Sequence, residues 1–281
     1  MKYSFLLRDV LLHEADTVPT VKDLPASGDY WQASGTEYSL KAPGIGSFYV
    51  HDGQEVIFSP LLVADSEWVQ LYLNNQVLVA LLHQRKIISF HASSFILGGR
   101  GVMILGETGA GKTSLTLAFV MNDAGFMSDD LTPVVFRENV PSVWSLNRRV
   151  KIREDSIEQL DLAGLNLSEA ECGTGKKYMH IEKAADEYHK LDVIVKIETG
   201  DVEEPVFMTL SPSDRFSLLR SEVCSWEILA GMPETEAAYL QQLVKIVEQT
   251  RFVRVIRPER IGITGLYETV KQYLDKIKDD N

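Results

Sequence analysis

At 281 residues, 45% of them hydrophobic, the chain can bury a sizeable core as one large domain or two modest ones. A formal net charge of −12 excludes broad binding to nucleic acid or to an anionic membrane, since either needs a basic face to neutralise phosphates. Cys172 and Cys224 are the only cysteines, too few for a disulfide framework and not spaced as metal ligands, which predicts a reducing, cytoplasmic setting.

The first apolar run, Tyr3-Ser4-Phe5-Leu6-Leu7, is cut short by charged Arg8 and Asp9, so neither a targeting nor a transmembrane segment is expected. Further short runs, Ser47 to Val50 and Glu55 to Phe58, are split by turn residues at Ala26 to Asp29 and at Pro43-Gly44, which predicts a small strand-rich region. From Trp68 to His83 the pattern turns helical and largely apolar. Residues 1–84 are accordingly expected as a smaller strand-rich N-terminal region ending in an apolar helix, and residues 85–281 as an α/β domain.

Within that domain the pattern predicts strands at Ile87 to Phe90, Phe95 to Leu97, Val102 to Leu105, Pro133 to Phe136, Leu191 to Ile197 and Phe252 to Ile256. Helices are predicted at Thr113 to Asn122, Ser156 to Gln159, Glu234 to Gln249 and Tyr267 to Lys278. The acidic run Glu198 to Glu204 reads as a solvated loop.

The most informative stretch is Gly106-Glu107-Thr108-Gly109-Ala110-Gly111-Lys112-Thr113, which fits the phosphate-binding loop pattern at every fixed position. The apolar run Gly101 to Leu105 precedes it as a strand, and Ser114 opens a helix after it. Glycines let such a backbone curl so that its N–H groups face phosphate oxygens, with the positive end of the helix dipole behind them. Lys112 is the expected cation for the β- and γ-phosphates of ATP, and the Thr113 hydroxyl a ligand for Mg2+.

Asp129 and Asp130 stand 17 and 18 positions after Lys112, a gap that fits one helix and a return strand. A carboxylate there reaches the metal held by Thr113, and its neighbour on the other side of the strand faces an incoming hydroxyl as a general base. A helix cap or turn is the alternative for such a pair. His91, 15 positions ahead of Gly106, is a candidate for contacting a phosphate or orienting a carboxylate, against a purely structural role. Arg148, Arg149, Lys151 and Arg153 form one basic cluster, and Lys176 and Lys177 another beside Gly173-Thr174-Gly175. Strand alternation puts Arg149, Lys151 and Arg153 on one face, able to line an active site or to be a solvated surface.

His91, the loop Gly106 to Thr113 and the pair Asp129-Asp130 resemble the HPr kinase/phosphorylase catalytic domain in type, order and spacing. The resemblance implies an α/β fold with a P-loop core similar to HPr kinase and phosphoenolpyruvate carboxykinase. It implies that the loop binds ATP and that Asp130 accepts the proton of a serine hydroxyl. Residues 1–85 do not resemble the N-terminal domain of HPr kinase, and the later glycine-rich signature is missing, with Glu182 a weak candidate for its glutamate. The layout around Leu82-His83-Gln84-Arg85 and His91-Ala92-Ser93 looks more like divergent HPr-kinase-like proteins of peptide-modification systems, including lasso peptide kinases.

These readings converge on a serine kinase dependent on ATP and Mg2+. Asp130, Lys112, His91 and Arg149 are its candidate catalytic residues, Gly106 through Ser114 the nucleotide site, and Thr113 and Asp129 the metal ligands. The expected partner is a peptide or small protein with an accessible serine or threonine, such as a lasso precursor, with neither nucleic acid nor membrane involved. A homo-oligomer is compatible with the sequence. HPr itself as acceptor, and a non-catalytic nucleotide-binding regulator, are the alternatives.

Overall fold

The computed structural model describes residues 2–22, 26–162, 164–165, 167–170, 175–181 and 187–277. It is a mixed α/β structure with several sheets, and it divides into two compact units: Met1–Ser89 with Val223–Lys245, and Phe90–Glu222 with Ile246–Asn281. The division differs from the sequence reading in giving the first unit a second segment, for which packing within that unit is the reason.

The first unit carries β1 (Leu11–Glu14), β2 (Ala26–Ser27), β3 (Trp31–Ser34), β4 (Glu37–Ala42), β5 (Gly46–His51) and β6 (Glu55–Pro60), in the sheet order β1-β6-β5-β4-β3-β2. The expected run at Tyr3 to Leu7 is not a strand. Gln70 takes the place of a strand neighbour there, its side-chain amide accepting from Ser4 N (3.0 Å) and donating to Ser4 O (2.7 Å), while Tyr3 packs edge-on against Phe58. The expected apolar helix is two, α1 (Ser66–Tyr72) and α2 (Leu78–Gln84), with a π-helical turn at Leu73–Val77 between them. Asn75 Nδ2 donates back to Leu71 O (3.1 Å), a side-chain bond that competes with the helical ladder.

Segment 223–245 belongs to this unit because its backbone lies against β3. Gly35 N donates to Gly231 O (2.8 Å), and a Cβ at Gly231 would come within 2.4 Å of Ala33 O, so only glycine fits. Tyr239 adds a buried polar link. Its hydroxyl donates to Ile87 O (2.7 Å), leaving the phenolic oxygen to accept from His83 Nδ1 (3.0 Å). Burial pushes His83 down to a pKa of about 4, so the ring is neutral at pH 7.

After β7 (Ile88–Phe90), the second unit runs β8 (Ser93–Leu97), β9 (Arg100–Gly106), α3 (Lys112–Met121), β10 (Gly125–Ser128), β11 (Thr132–Arg137), β12 (Val140–Trp144), β13 (Arg149–Arg153) and α4 (Glu154–Gln159). It continues with β14 (Leu167–Glu169), β15 (Lys176–His180), β16 (Tyr188–Gly200), β17 (Val206–Met208) and α5 (Pro212–Glu222). After the first unit's second segment, which holds a 3-10 turn (Trp226–Gly231) and most of α6 (Pro233–Gln249), it resumes with β18 (Arg251–Pro258) and α7 (Ile263–Lys276). The centre of its main sheet is parallel: β16 pairs with β9 on one side and β18 on the other. β8, β10, β11 and β12 extend it with antiparallel pairs. The sequence reading did not include β12, which β11 reaches through Glu138 and Asn139, both at positive φ as a tight two-residue hairpin requires. The ladder with β18 also carries β16 through Gly200, so Glu198 is a strand residue bonded to Arg254 Nε (2.8 Å) rather than part of a solvated loop.

α3 has apolar residues on two sides, and this sets the layering. Leu115 and Phe119 meet Val102, Ile104, Val195 and Val255 of the main sheet together with Leu266, Val270 and Leu274 of α7. Leu117 faces a second cluster with Val150, Ile152 and Met179 from the small sheet β13-β15-β14. The loop before α3 thus sits at the end of a strand buried on both faces. Among the described residues no helix is long and apolar enough to cross a membrane.

Candidate functional site

Gly106 ends β9, Glu107 to Ala110 make the turn, Gly111 caps α3, and Lys112, Thr113 and Ser114 form its first helical turn. Gly109 (φ 89°) and Gly111 (φ 103°) lie in the left-handed region that other residues enter only at a cost. A Cβ at Gly106 would approach Ile197 O to 2.7 Å, so the parallel pairing with β16 demands glycine there as well.

Lys112 is buried beneath this loop, its Nζ donating to Gly106 O (2.5 Å) and Glu107 O (3.4 Å). Burial lowers its pKa, while the Glu222, Asp130 and Asp129 carboxylates act in the opposite direction. Thr113 Oγ1 donates to Asp129 Oδ1 (2.8 Å), and Ser93 Oγ donates to the same oxygen. Burial of the carboxyl pushes Asp129 up to a pKa of about 6, and the hydrogen bond from Ser93 is the largest effect opposing it.

Asp130 points elsewhere. Its backbone is left-handed (φ 69°) and its side chain is exposed, with His91 Nδ1 at 3.1 Å from its carbonyl oxygen and 3.6 Å from its carboxylate. Glu222 O in turn accepts from His91 N (2.9 Å). Ser114 Oγ meets Ser156 Oγ of α4 at 2.8 Å. One cleft of about 220 Å³ gathers His91, Asp130 and the loop on one side and Lys151, Arg153, Asp155 and Lys176 on the other. Arg149 lies outside that lining, its guanidinium 4.8 Å from the centre of the Tyr178 ring. Cys172, Gly173, Thr174 and Glu182 fall outside the described residues.

Sequence reasoning missed three contributors. Arg257, at the end of β18, donates from Nε to Ala110 O (3.0 Å) and clamps the turn. Lys196 of β16 and Glu222 of α5 form a nearly buried ion pair (2.7 Å), and both carry their charge close enough to act on Lys112. A lysine following the apolar run Val193-Ile194-Val195 was the available signal for the pair; for Arg257 there was none.

No protein-family model matches the chain, and no curated protein does. Among solved structures it is similar to the HPr(Ser) kinase/phosphatase from Coxiella burnetii, with a TM-score of 0.35 and 14% identity over 68% of this chain and 93% of that one.

Proposed function

We propose that the chain is an ATP- and magnesium-dependent kinase of HPr-kinase-like type. It transfers the γ-phosphoryl group to a serine or threonine hydroxyl of a peptide, with a ribosomally made precursor such as a lasso precursor as acceptor. The contact of Thr113 Oγ1 with Asp129 Oδ1 (2.8 Å) carries this reading. It stands at the foot of a glycine loop, with Asp130 open to solvent in the same cleft.

The donor set fits the two ligands. A hydroxyl and a carboxylate are hard oxygen donors suited to magnesium, and a carboxyl whose burial raises it to about 6 gains from a nearby divalent cation. Two carbonyls accept from Lys112, and an ammonium has three protons to give. Thr113 and Asp129 would hold the metal, which when bound neutralises charge on the phosphates. Lys112 and the loop amides would hold the β- and γ-phosphates and stabilise the charge that develops on the departing ADP. Asp130 would take the hydroxyl proton as the new O–P bond forms and the bond to the β-phosphate oxygen breaks. His91, between the Glu222 carbonyl and Asp130, would hold that base at the lip of the cleft.

Transfer of label from γ-labelled ATP to precursor peptides tests the reading. Asp130→Asn is expected to abolish transfer while ATP binding, measured by calorimetry, stays within about twofold of wild type. Wild-type transfer by that variant would remove Asp130 as the base.

A further inference from the structure

The small sheet presents two unlike faces. Antiparallel pairing sets Arg149 opposite His180, Lys151 opposite Tyr178 and Arg153 opposite Lys176, and directly opposed residues share a face. The intervening Val150, Ile152 and Met179 are buried with Leu117 of α3, so the six form the outward face, which Ser168 of β14 joins opposite Tyr178. Among the described residues of these strands that face carries no carboxylate, in a chain of net charge −12.

Two features indicate that an anion completes it. Arg153 directly faces Lys176, and like charges so opposed are destabilising, a cost that a bound anion relieves. The Arg149 guanidinium and the Lys151 ammonium lie 4.8 Å and 5.7 Å from the Tyr178 ring centre, which orders two long cations along the strand. The strip also has a direction. Lys151, Arg153 and Lys176 line the cleft that holds Asp130, whereas Arg149 and His180 continue it outside the lining. From Arg153 to Arg149 the strand rises about 13 Å, the length of about four residues of extended peptide. That reach exceeds what phosphates seated in the glycine loop require.

We propose that this strip docks an acidic stretch of the acceptor peptide, extended along β13 with its carboxylates within about six residues of the phosphorylated hydroxyl. The proposal rests on the kinase reading above and names its substrate class: a serine or threonine peptide with acidic flanks.

Three peptides with one central serine flanked on both sides by Glu, by Gln or by Lys test it, with wild type and Arg149→Glu as enzymes. Wild type is expected to show a KM for the Glu peptide about tenfold below that for the Gln peptide at low salt, with kcat within about twofold, and the gap closes at high salt. Arg149→Glu raises the KM for the Glu peptide about tenfold, makes the Lys peptide the better substrate and leaves the KM for ATP unchanged. Equal KM values for the Glu and Gln peptides in wild type overturn the docking assignment and leave the kinase reading standing. A rise in the KM for ATP instead of peptide assigns the strip to nucleotide phosphates and overturns it equally. If none of the peptides is phosphorylated, the kinase reading fails, and fluorescence anisotropy of a labelled Glu peptide decides the docking. Salt-sensitive binding lost in Arg149→Glu upholds the strip, and no binding overturns it.

Discussion

The buried titratable side chains His83 and Asp129, one from each unit, are treated in opposite ways. In the first unit His83 is tied to Tyr239, which is itself tied to Ile87 O, and burial holds the ring neutral with a pKa of about 4. The uncharged ring needs no counter-charge at neutral pH, though its buried Nε2 has no hydrogen-bond partner among the described residues. In the second unit Asp129 is enclosed with two hydroxyls for company, sits next to a second carboxylate, and reaches a pKa of about 6. Around it lie left-handed Asp130, Gly109 and Gly111, a buried Lys112, and Arg153 facing Lys176. Costs of this kind are expected to persist where a ligand relieves them, and under the proposed function that is what distinguishes the burial of Asp129 from that of His83.

The largest expected effect tests the functional side. Lys112→Met keeps the length of the side chain and removes its charge, and is expected to lower phosphoryl transfer by about 1000-fold or more while the melting temperature of the ligand-free protein does not fall. Radiolabel transfer and thermal unfolding measure the two; a large drop in melting temperature would make Lys112 a structural residue like His83.

Asp129→Asn sharpens the contrast. A carboxyl whose folded pKa is about 6, against 3.8 in its absence, costs the fold nothing below about pH 4 and progressively more as pH rises through 6. The amide is therefore expected to stabilise the ligand-free protein by roughly 2–3 kcal/mol at pH 8 and by less at pH 5, while raising the magnesium requirement for transfer. Urea unfolding at the two pH values is the measurement, and a destabilised variant at pH 8 would contradict the strained-site account.

His83 runs the other way. Its folded pKa of about 4 lies below the ordinary 6.5, so its neutral burial is free of cost above pH 6.5 and destabilises as pH falls towards 4, where only the unfolded chain takes the proton. Between pH 7 and 5 this amounts to roughly 2 kcal/mol, which His83→Gln should remove from the pH profile whatever its effect at pH 7. An unchanged slope in the variant would show that other groups govern acid sensitivity.

The smallest effect concerns Lys177. It pairs with Ile152 on the core side of the small sheet, and its only described ion pair is with Glu154 at 3.9 Å. Lys177→Ala is expected to change stability by less than about 0.5 kcal/mol and to leave transfer at the wild-type rate. A clear loss of transfer would extend the basic face beyond its outward row.

Local features were legible in the sequence wherever the physics is local. A strand buried on both faces reads as an apolar run, and Val102 to Leu105 is one. The turn after it needs glycine at positive φ, which ties Gly109 and Gly111 to the turn itself. Alternation along Arg149 to Arg153 likewise announces a strand with one charged face, and the burial follows it residue by residue. What only the tertiary structure decided involves partners far apart in the chain. Arg257 clamps Ala110 from 147 positions away, Lys196 finds Glu222 across 26, and Gln70 stands in for a strand beside Ser4 across 66. Segment 223–245 packs with β3 because glycine at 231 lets two backbones touch. Periodicity and φ are properties of neighbouring residues and are written in their order. Strand order and the direction of a side chain across a sheet are properties of the packed core, and they exist only once it has formed.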